Sequence, residues 1–536
     1  MAKNNKETKK NAPSPVASNP VLSKSMVVTD PAWMINDSES WLWILSSLVF
    51  IGTYIHSFLH TSLYQGEEIS QYLNMRNFWD DPSIILGQWP KTGWKLFYVI
   101  PSLMGAKFVT FLNCLLCGLC CYFILKTARL LGVKHLYTVP LLFLCQPLYL
   151  ILSAKNYSEP FAALVFSIAL YAHYSQKNSV TALCLSLLSI TRLEFSILAA
   201  AYGAYLLYNK RWIPMVLLSV FPLLYSIWGY FARGSFLFLI NESQSITKSY
   251  NELYPRQGFD HYFKMALPIY GALAIMGLIL YLSEVISRKR KVDYFILLPF
   301  LYIFLIYCMF NWQSVPIGPA NGGNLRYVIS ASPFLVLLGG LGITEKWKES
   351  INWIAVGLAT FALLYYTKVG SYAHNWVGYN IKVHNWLPII NILAVSALLL
   401  LPLSRPLKYY AFILAFLLTI VLVVRPHQLK GDENAAFKEM ALWLEKDGLI
   451  KNNIYSSINV IPYYVDKSKL KVVDGLSKAN IESAPSGSII IWDTHFGQKY
   501  SDVKQEDIQK YAGTFKMVRQ ILSDDKYVQI IVLQKP

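Results

Sequence analysis

The stretch Tyr64-Gln65-Gly66-Glu67-Glu68-Ile69-Ser70-Gln71-Tyr72 places two adjacent carboxylates directly after the first long apolar run of the chain. Carboxylates are costly to desolvate at the edge of a bilayer, so a pair there marks either the solvated end of a helix or a site. As a site, Glu67 and Glu68 offer a general base for a hydroxyl nucleophile. Asp80, Asp81 and Glu159 are further carboxylates that the topology below puts on the same side. Glu159 sits in Asn156-Tyr157-Ser158-Glu159-Pro160, where Ser158 is a candidate helix cap with Pro160 just inside, so Glu159 is either a helix-start acid or a site residue. Lys91, Arg192 and Arg326 are the cations on that side. The planar guanidinium matches phosphate oxygens two at a time and keeps its charge, although Arg326, which opens an apolar run, also fits simple snorkelling. A base that deprotonates an acceptor and an arginine that holds a departing lipid phosphate together amount to group transfer from a lipid-phosphate carrier.

Other candidate chemistry is weaker. His56 and His60 have metal-ligand spacing on the first span, but two membrane histidines more often hydrogen-bond neighbouring helices, so a divalent cation is a candidate cofactor and no metal ligand is assigned. Cys114, Cys117 and Cys121 share a helical spacing within an apolar run, as expected of small packing residues. His495 is a lone loop histidine with no role. No Gly-rich phosphate loop and no Asp-x-Asp between strands is present, which argues against a nucleotide-sugar donor on a soluble domain.

The elements that must position these groups are membrane helices. The 536 residues are 54% hydrophobic and only 15% charged, with a mean hydropathy of +0.37, well outside soluble composition. From Pro426 onward 15 Lys and Arg balance 14 Asp and Glu; the earlier part carries 33 against 17. The basic excess therefore belongs to the membrane part, where it sets orientation and attracts anionic headgroups; nucleic acid is not an expected partner. Residues 1–40 read as a disordered cytoplasmic tail and 41–425 as a transmembrane domain. Within it, 65–105 is a first outer loop whose Ile69, Tyr72, Leu73, Arg76 and Trp79 form an interfacial helix, with Trp79, Trp89 and Trp94 at headgroup level. Later spans are expected near 106–125, 136–153, 158–174, 180–207, 212–231, 264–283, 293–311, 327–343, 352–367, 386–402 and 408–424. The run 180–207 is too long for one span and is interrupted by Thr191-Arg192-Leu193-Glu194, so it counts as two. That gives about thirteen transmembrane helices, and it puts Lys126, Arg129, Lys134, Lys177, Lys210, Arg211, Arg288-Lys289-Arg290-Lys291, Lys346, Lys348, Arg405 and Lys408 inside. Residues 426–536 read as an extracytoplasmic α/β domain, with helices at 435–446 and 502–511 and strands at 454–457, 471–473, 488–492 and 527–533.

Gln65-Gly66-Glu67-Glu68-Ile69-Ser70-Gln71 resembles the His-Pro-Asp-Glu-x-x-Gln pattern in the first outer loop of lipid-linked mannosyltransferases. Asn324-Leu325-Arg326-Tyr327 through Pro333 resembles the Arg-Tyr segment of the protein O-mannosyltransferase and aminoarabinose-transferase branch. With the layout of spans, these two stretches resemble the GT-C superfamily of integral-membrane glycosyltransferases. The resemblance implies an inverting transfer of a sugar, such as mannose or another hexose, from a polyprenyl-phosphate-linked donor to a glycan, lipid or protein acceptor. It implies a base at Glu67 or the adjacent Glu68, phosphate contact at Arg326 beside Tyr327, and Gln71, Asp80, Lys91, Glu159 and Arg192 near the substrates. Gln65 and Gly66 replace His-Pro and Glu67 replaces Asp, so the choice between the two glutamates stays open. The plasma (inner) membrane is the expected location, with the endoplasmic reticulum as the eukaryotic equivalent. Two rivals are a flippase for a lipid-linked glycan, which would put charges at mid-bilayer and break its helices there, and a non-catalytic scaffold, which would need no cavity.

Overall fold

The computed structural model describes residues 36–59, 67–87, 91–315, 317–343, 347–364, scattered positions between 393 and 417, then 433–465, 469–523, 526 and 528–536. The tail to residue 35, His60, Gln65, Gly66, Trp89, Lys346, Arg405, Lys408 and most of the spans expected at 386–402 and 408–424 lie outside the described residues. The helical part begins with α1 (Glu39–Leu59), α2 (Glu67–Arg76), α3 (Thr92–Lys95), α4 (Ala106–Leu130), α5 (Thr138–Leu144), α6 (Pro147–Leu152), α7 (Ser158–Tyr174), α8 (Asn178–Thr191) and α9 (Ser196–Tyr208). It continues with α10 (Trp212–Leu217), α11 (Val220–Arg233), α12 (Phe238–Leu253), α13 (His261–Lys264), α14 (Ala266–Ile286), α15 (Tyr294–Phe310), α16 (Ser332–Ile343) and α17 (Trp347–Leu364).

Among the described residues five helical stretches are long and apolar enough to cross a membrane: Glu39–Phe58, Ala106–Leu130, Trp212–Arg233, Ala266–Ile286 and Leu325–Ile343. Shorter apolar helices at Asn178–Thr191, Leu193–Tyr208 and Tyr294–Phe310 fill out the bundle. The run 180–207 is broken where the sequence predicts, at Arg192 and a short 3-10 turn, Leu193–Phe195. The run 136–153 is broken too, at Gln146-Pro147, because a proline has no N–H to continue the α5 ladder. Close helix approach rests on small residues: a Cβ added to Gly277 of α14 would lie 2.6 Å from the Gly339 Cα of α16.

Three local expectations are corrected. Trp94 does not face the headgroups but is fully buried in the protein, because α3 wedges against α8: a Cβ on Gly93 would meet the Thr191 side chain at 2.2 Å. Ser158 does not cap α7; Tyr157 holds the cap position in an extended conformation, and the Ser158 hydroxyl turns to the Glu159 carboxylate. Arg326 does not snorkel, since only 1% of it is exposed.

The C-terminal part opens with α18 (Glu433–Lys446) and holds five strands, β1 (Asn453–Ser456), β2 (Val472–Gly475), β3 (Ile489–Asp493), β4 (Lys516–Leu522) and β5 (Gln529–Gln534). The sheet order is β2-β1-β3-β5-β4, with β2, β1 and β3 parallel and β5 antiparallel to β3 and β4. β3 is buried along its whole length. Its alternate residues serve two cores: Ile489 and Ile491 pack in the core that holds Phe437 and Met440 of α18, while Ile490 and Trp492 pack with Ile481 and Ile508 on the other face. β4 is missing from the sequence reading because Lys516, Arg519 and Gln520 dilute its apolar pattern, as suits a half-exposed edge strand.

Candidate active site

Four segments far apart in sequence bring their charges to one end of the bundle. α2 places Glu67 in its first turn, where the exposed N–H groups favour a carboxylate. α7 places Glu159 in the same position. The break between α8 and α9 supplies Arg192 and Glu194, and the 3-10 turn Leu325–Ala331 ahead of α16 supplies Arg326 and Tyr327. That turn is held from its carbonyl side. The Asn324 side chain accepts from the Arg326 N–H, Tyr262 donates to the Asn324 carbonyl at 2.8 Å, and Tyr270 donates to the Val328 carbonyl at 2.7 Å. The turn bearing Lys91 is fixed by Tyr225 of α11, whose hydroxyl accepts from the Gly87 N–H at 2.7 Å and lies 2.9 Å from the Thr92 hydroxyl.

The result is a chain of ion pairs. Arg326 Nη2 bonds Glu67 Oε2 at 2.5 Å, and Arg326 Nε lies 3.6 Å from Glu159 Oε1. The same Glu159 oxygen takes Arg192 Nη1 at 2.6 Å, and Arg192 Nε bonds Glu194 Oε1 at 2.8 Å. Tyr307 donates to Glu194 Oε1, and Tyr302 donates to the Glu194 carbonyl at 2.7 Å. The Tyr327 ring is the common floor: the guanidinium carbons of Arg192 and Arg326 lie 4.6 and 5.2 Å from its centroid and Lys91 Nζ 5.8 Å. Glu159 and Arg326 are shut away from solvent, whereas 21% of the Glu67 side chain remains accessible. Arg326 Nε and Nη1 make no hydrogen bond, and the guanidinium lies over the Tyr157 ring at 4.2 Å. A buried guanidinium with hydrogen-bonding capacity left over at Nη1 is half of an oxyanion site.

Electrostatics separates the two glutamates. Burial by itself pushes the Glu67 carboxyl up, but Arg326 and then Lys91 outweigh it and hold the group at about 2. Burial is also the main influence on Lys91; with the nearby Arg326 charge it outweighs Glu159 and Glu67 and brings the amine down to about 8. Glu68 is more deeply buried and points elsewhere, since adjacent helical residues do not share a face. Its charge is felt by Lys155 and by Tyr463 of the C-terminal part.

The remaining candidates divide. Gln71, one turn after Glu67, donates to it at 2.7 Å and joins the cluster. Asp80 lies exposed after the turn Asn77–Trp79 and is not brought to it, while Asp81 caps the turn Pro82–Ile85 through the Ser83 N–H. His56 is buried in α1. Among the described residues no three His, Cys, Asp or Glu side chains gather as for a metal ion. The cysteines are thiols packed in the core, with Cys184 half-buried.

The chain has the fold of ArnT. The crystal structure of ArnT from Cupriavidus metallidurans bound to undecaprenyl phosphate superposes with a TM-score of 0.59 at 12% identity, covering 92% of this chain and 98% of that one. The apo structure of the same protein gives 0.60 at 13% identity with the same coverage. No family model matches the sequence, and no curated protein matches it significantly. The likeness is one of architecture and extends over the helical part and the C-terminal domain together.

Sequence reasoning missed Glu194, Tyr307 and Tyr157. Glu194 was visible only as part of a helix-breaking tetrapeptide, and its spacing from Arg192 is the signal that would have found it. Tyr307 lies in an apolar, aromatic-rich run and Tyr157 in a short polar turn, and neither context hints at which ring faces a cation.

Proposed function

We propose that this chain is an inverting glycosyltransferase that takes its sugar from a polyprenyl-phosphate carrier. The acceptor is a glycan, lipid or protein at the outer membrane face, and a hexose such as mannose is the sugar that the first-loop motif favours. The observation that carries the reading is Arg326, buried, with Nη2 on Glu67, Nε facing Glu159 at 3.6 Å and Nη1 without a hydrogen bond. That geometry offers Nη1 to a phosphate oxygen beside a carboxylate. The likeness of fold to ArnT, which has been captured with undecaprenyl phosphate, supports the same class of donor.

In the resting state Glu67 is a poor base, because its charge is already satisfied. A lipid phosphate that engages Arg326 and Lys91 neutralises the cations that hold Glu67 down and leaves burial to raise it. The acceptor O–H proton then passes to Glu67 while the acceptor oxygen attacks the anomeric carbon from the face opposite the phosphate. The bond from that carbon to the phosphate oxygen breaks, and polyprenyl phosphate leaves as an anion held by Arg326 and Lys91. A single displacement inverts the anomeric centre. Gln71 orients Glu67, and Glu159 and Arg192 hold Arg326 from behind. The charges gather at helix ends rather than at mid-bilayer, which favours transfer over translocation.

The test is turnover of a synthetic polyprenyl-phosphate sugar by Glu67→Gln and Glu68→Gln. Glu67→Gln is expected to lose about 10²- to 10⁴-fold in kcat, the usual worth of a positioned base, with donor binding retained. Glu68→Gln is expected to keep chemistry within about tenfold. Unchanged turnover in both removes the proposed base.

A further inference from the structure

α7, α8 and α9 each have one end at the ion-pair cluster and the other end at a second polar feature. α7, at 17 residues, is about 26 Å long, close to the thickness of a bilayer core, so this feature belongs to the opposite membrane face. There the turn 176–180 between α7 and α8 and the turn 210–214 between α9 and α10 enclose a notch of about 480 Å³. Lys177, Lys210 and Arg211 line it and no acidic residue does. Trp212 and Ile213 on its rim are 58% and 75% exposed, as expected of side chains at headgroup and acyl level.

Both helix ends close in the same way. The Lys177 N–H bonds the Ala172 carbonyl at 2.7 Å and the Arg211 N–H bonds the Leu206 carbonyl at 2.8 Å, the six-to-one bond of a helix end whose next-to-last residue is left-handed. Glycine is the unstrained choice at that residue, and Gly132 fills it after α4. Around the notch it is Gln176 and Lys210 instead, at φ 60° and 56°.

Directly against the notch runs an apolar groove of about 630 Å³ between α7, α8, α9 and α15. Asn178 of the notch accepts from the hydroxyl of Tyr202 of the groove at 3.1 Å. Ile197, Leu298 and Leu301 on its walls are 38–56% exposed, so in a membrane the groove opens to the acyl chains. A cationic notch beside a chain-width apolar groove matches a molecule with an anionic head and an acyl tail.

We infer that this face binds an anionic glycerophospholipid, with its phosphate in the notch of Lys177, Lys210 and Arg211 and one acyl chain in the groove that passes Tyr202. The notch lies at the far end of the same three helices from the transfer site, and the groove runs from it back along them as far as Tyr302 and Ile197.

The full chain in phosphatidylcholine nanodiscs containing a minor fraction of phosphatidylglycerol tests this, with lipid retention read by native mass spectrometry. Retention of phosphatidylglycerol over phosphatidylcholine is expected, falling on the order of 10²-fold in the triple variant Lys177→Gln, Lys210→Gln, Arg211→Gln, at about a factor of five per cation. The triple variant Lys177→Arg, Lys210→Arg, Arg211→Lys should keep the lipid, which separates charge from misfolding. Arg288→Gln with Lys289→Gln, cations outside the notch, should change nothing, and Ala201→Trp in the groove should weaken retention without altering charge. Equal retention of the two lipids, or full retention in the glutamine triple variant, overturns the inference. Inorganic phosphate that displaces the lipid and stabilises the protein equally in pure phosphatidylcholine overturns it as well, by showing a site for free anions.

Discussion

Arg326 pulls both Glu67 and Lys91 down, favouring the charged form of the carboxyl and the neutral form of the amine, and the pH profile should report it. Lys91 titrates at about 8 in the free protein, so it is cationic below that and neutral above. The kcat/KM for the donor, which reports the free protein, is therefore expected to fall by about 10- to 100-fold as pH rises past 8, the worth of one charge-assisted hydrogen bond to phosphate. Lys91→Gln should flatten that limb at the low level, and Lys91→Arg should move it out of range. Glu67, held at about 2, is ionised throughout the neutral range, so kcat/KM should show no acid limb down to about pH 4. With donor bound the phosphate claims Arg326, so kcat should show an acid limb in or above the ordinary carboxylate range near 4. The stability sign follows from proton counts: a carboxyl held below its ordinary value stabilises the fold fully above that range and loses this contribution as pH falls towards 2. The types and order of Glu67, Arg192 and Arg326 were legible in the sequence as candidates. That Glu67 rather than Glu68 faces Arg326 was not, because it depends on the rotation of α2.

At the scale of the element, the sequence shows breaks more readily than it shows why they are needed. Thr191-Arg192-Leu193-Glu194 is readable as an interruption since charges cannot continue an apolar span, and the structure turns it into the cationic wall of the site. The kink in α14 is less readable. Gly271 stands at φ 74° and ψ 158° inside an otherwise helical run, and a Cβ there would lie 2.2 Å from the Cys145 carbonyl oxygen at the α5–α6 break. The two irregularities pack into one another, and α14 delivers Tyr270, as α13 just before it delivers Tyr262, to the Arg326 turn. Gly271→Ala combines backbone strain with a backbone clash, and we expect a loss of about 2–4 kcal/mol together with weakened donor binding. Gly132→Ala, also left-handed at φ 74° but with nothing within 4 Å, carries strain alone and should lose about 1–2 kcal/mol with turnover unchanged. Thermal unfolding of both variants in detergent, with donor titration, distinguishes a site-building kink from a merely strained one.

At the scale of the whole molecule, the question is what the C-terminal domain does for a site made of membrane helices. The carboxyl ends of its parallel strands meet the helical part. After β1, Tyr463 meets Tyr72 of α2 edge-to-face with centroids 5.5 Å apart, and after β3, Lys499 Nζ lies 4.8 Å over the Tyr254 ring. The sequence showed an α/β domain from its β-branched runs but not this docking, because one tyrosine in Ile461-Pro462-Tyr463-Tyr464 looks like any other. α2 is ten residues long and too short to hold itself, so its orientation is set by what packs on it: Tyr72 donates to the Ser102 carbonyl at 3.1 Å on one side and receives Tyr463 on the other. The same α2 carries Glu67 five residues before Tyr72. Tyr463→Ala should therefore act on chemistry through position. The lost ring contact is worth only about 0.5–1.5 kcal/mol, so folding survives, but a small rotation of α2 misaligns Glu67 and kcat falls by about 10- to 100-fold with the donor KM little changed. Tyr463→Phe keeps the ring and should recover most of kcat. An alanine variant with wild-type kcat, or a phenylalanine variant as impaired as alanine, would show that the domain docks on α2 without positioning it.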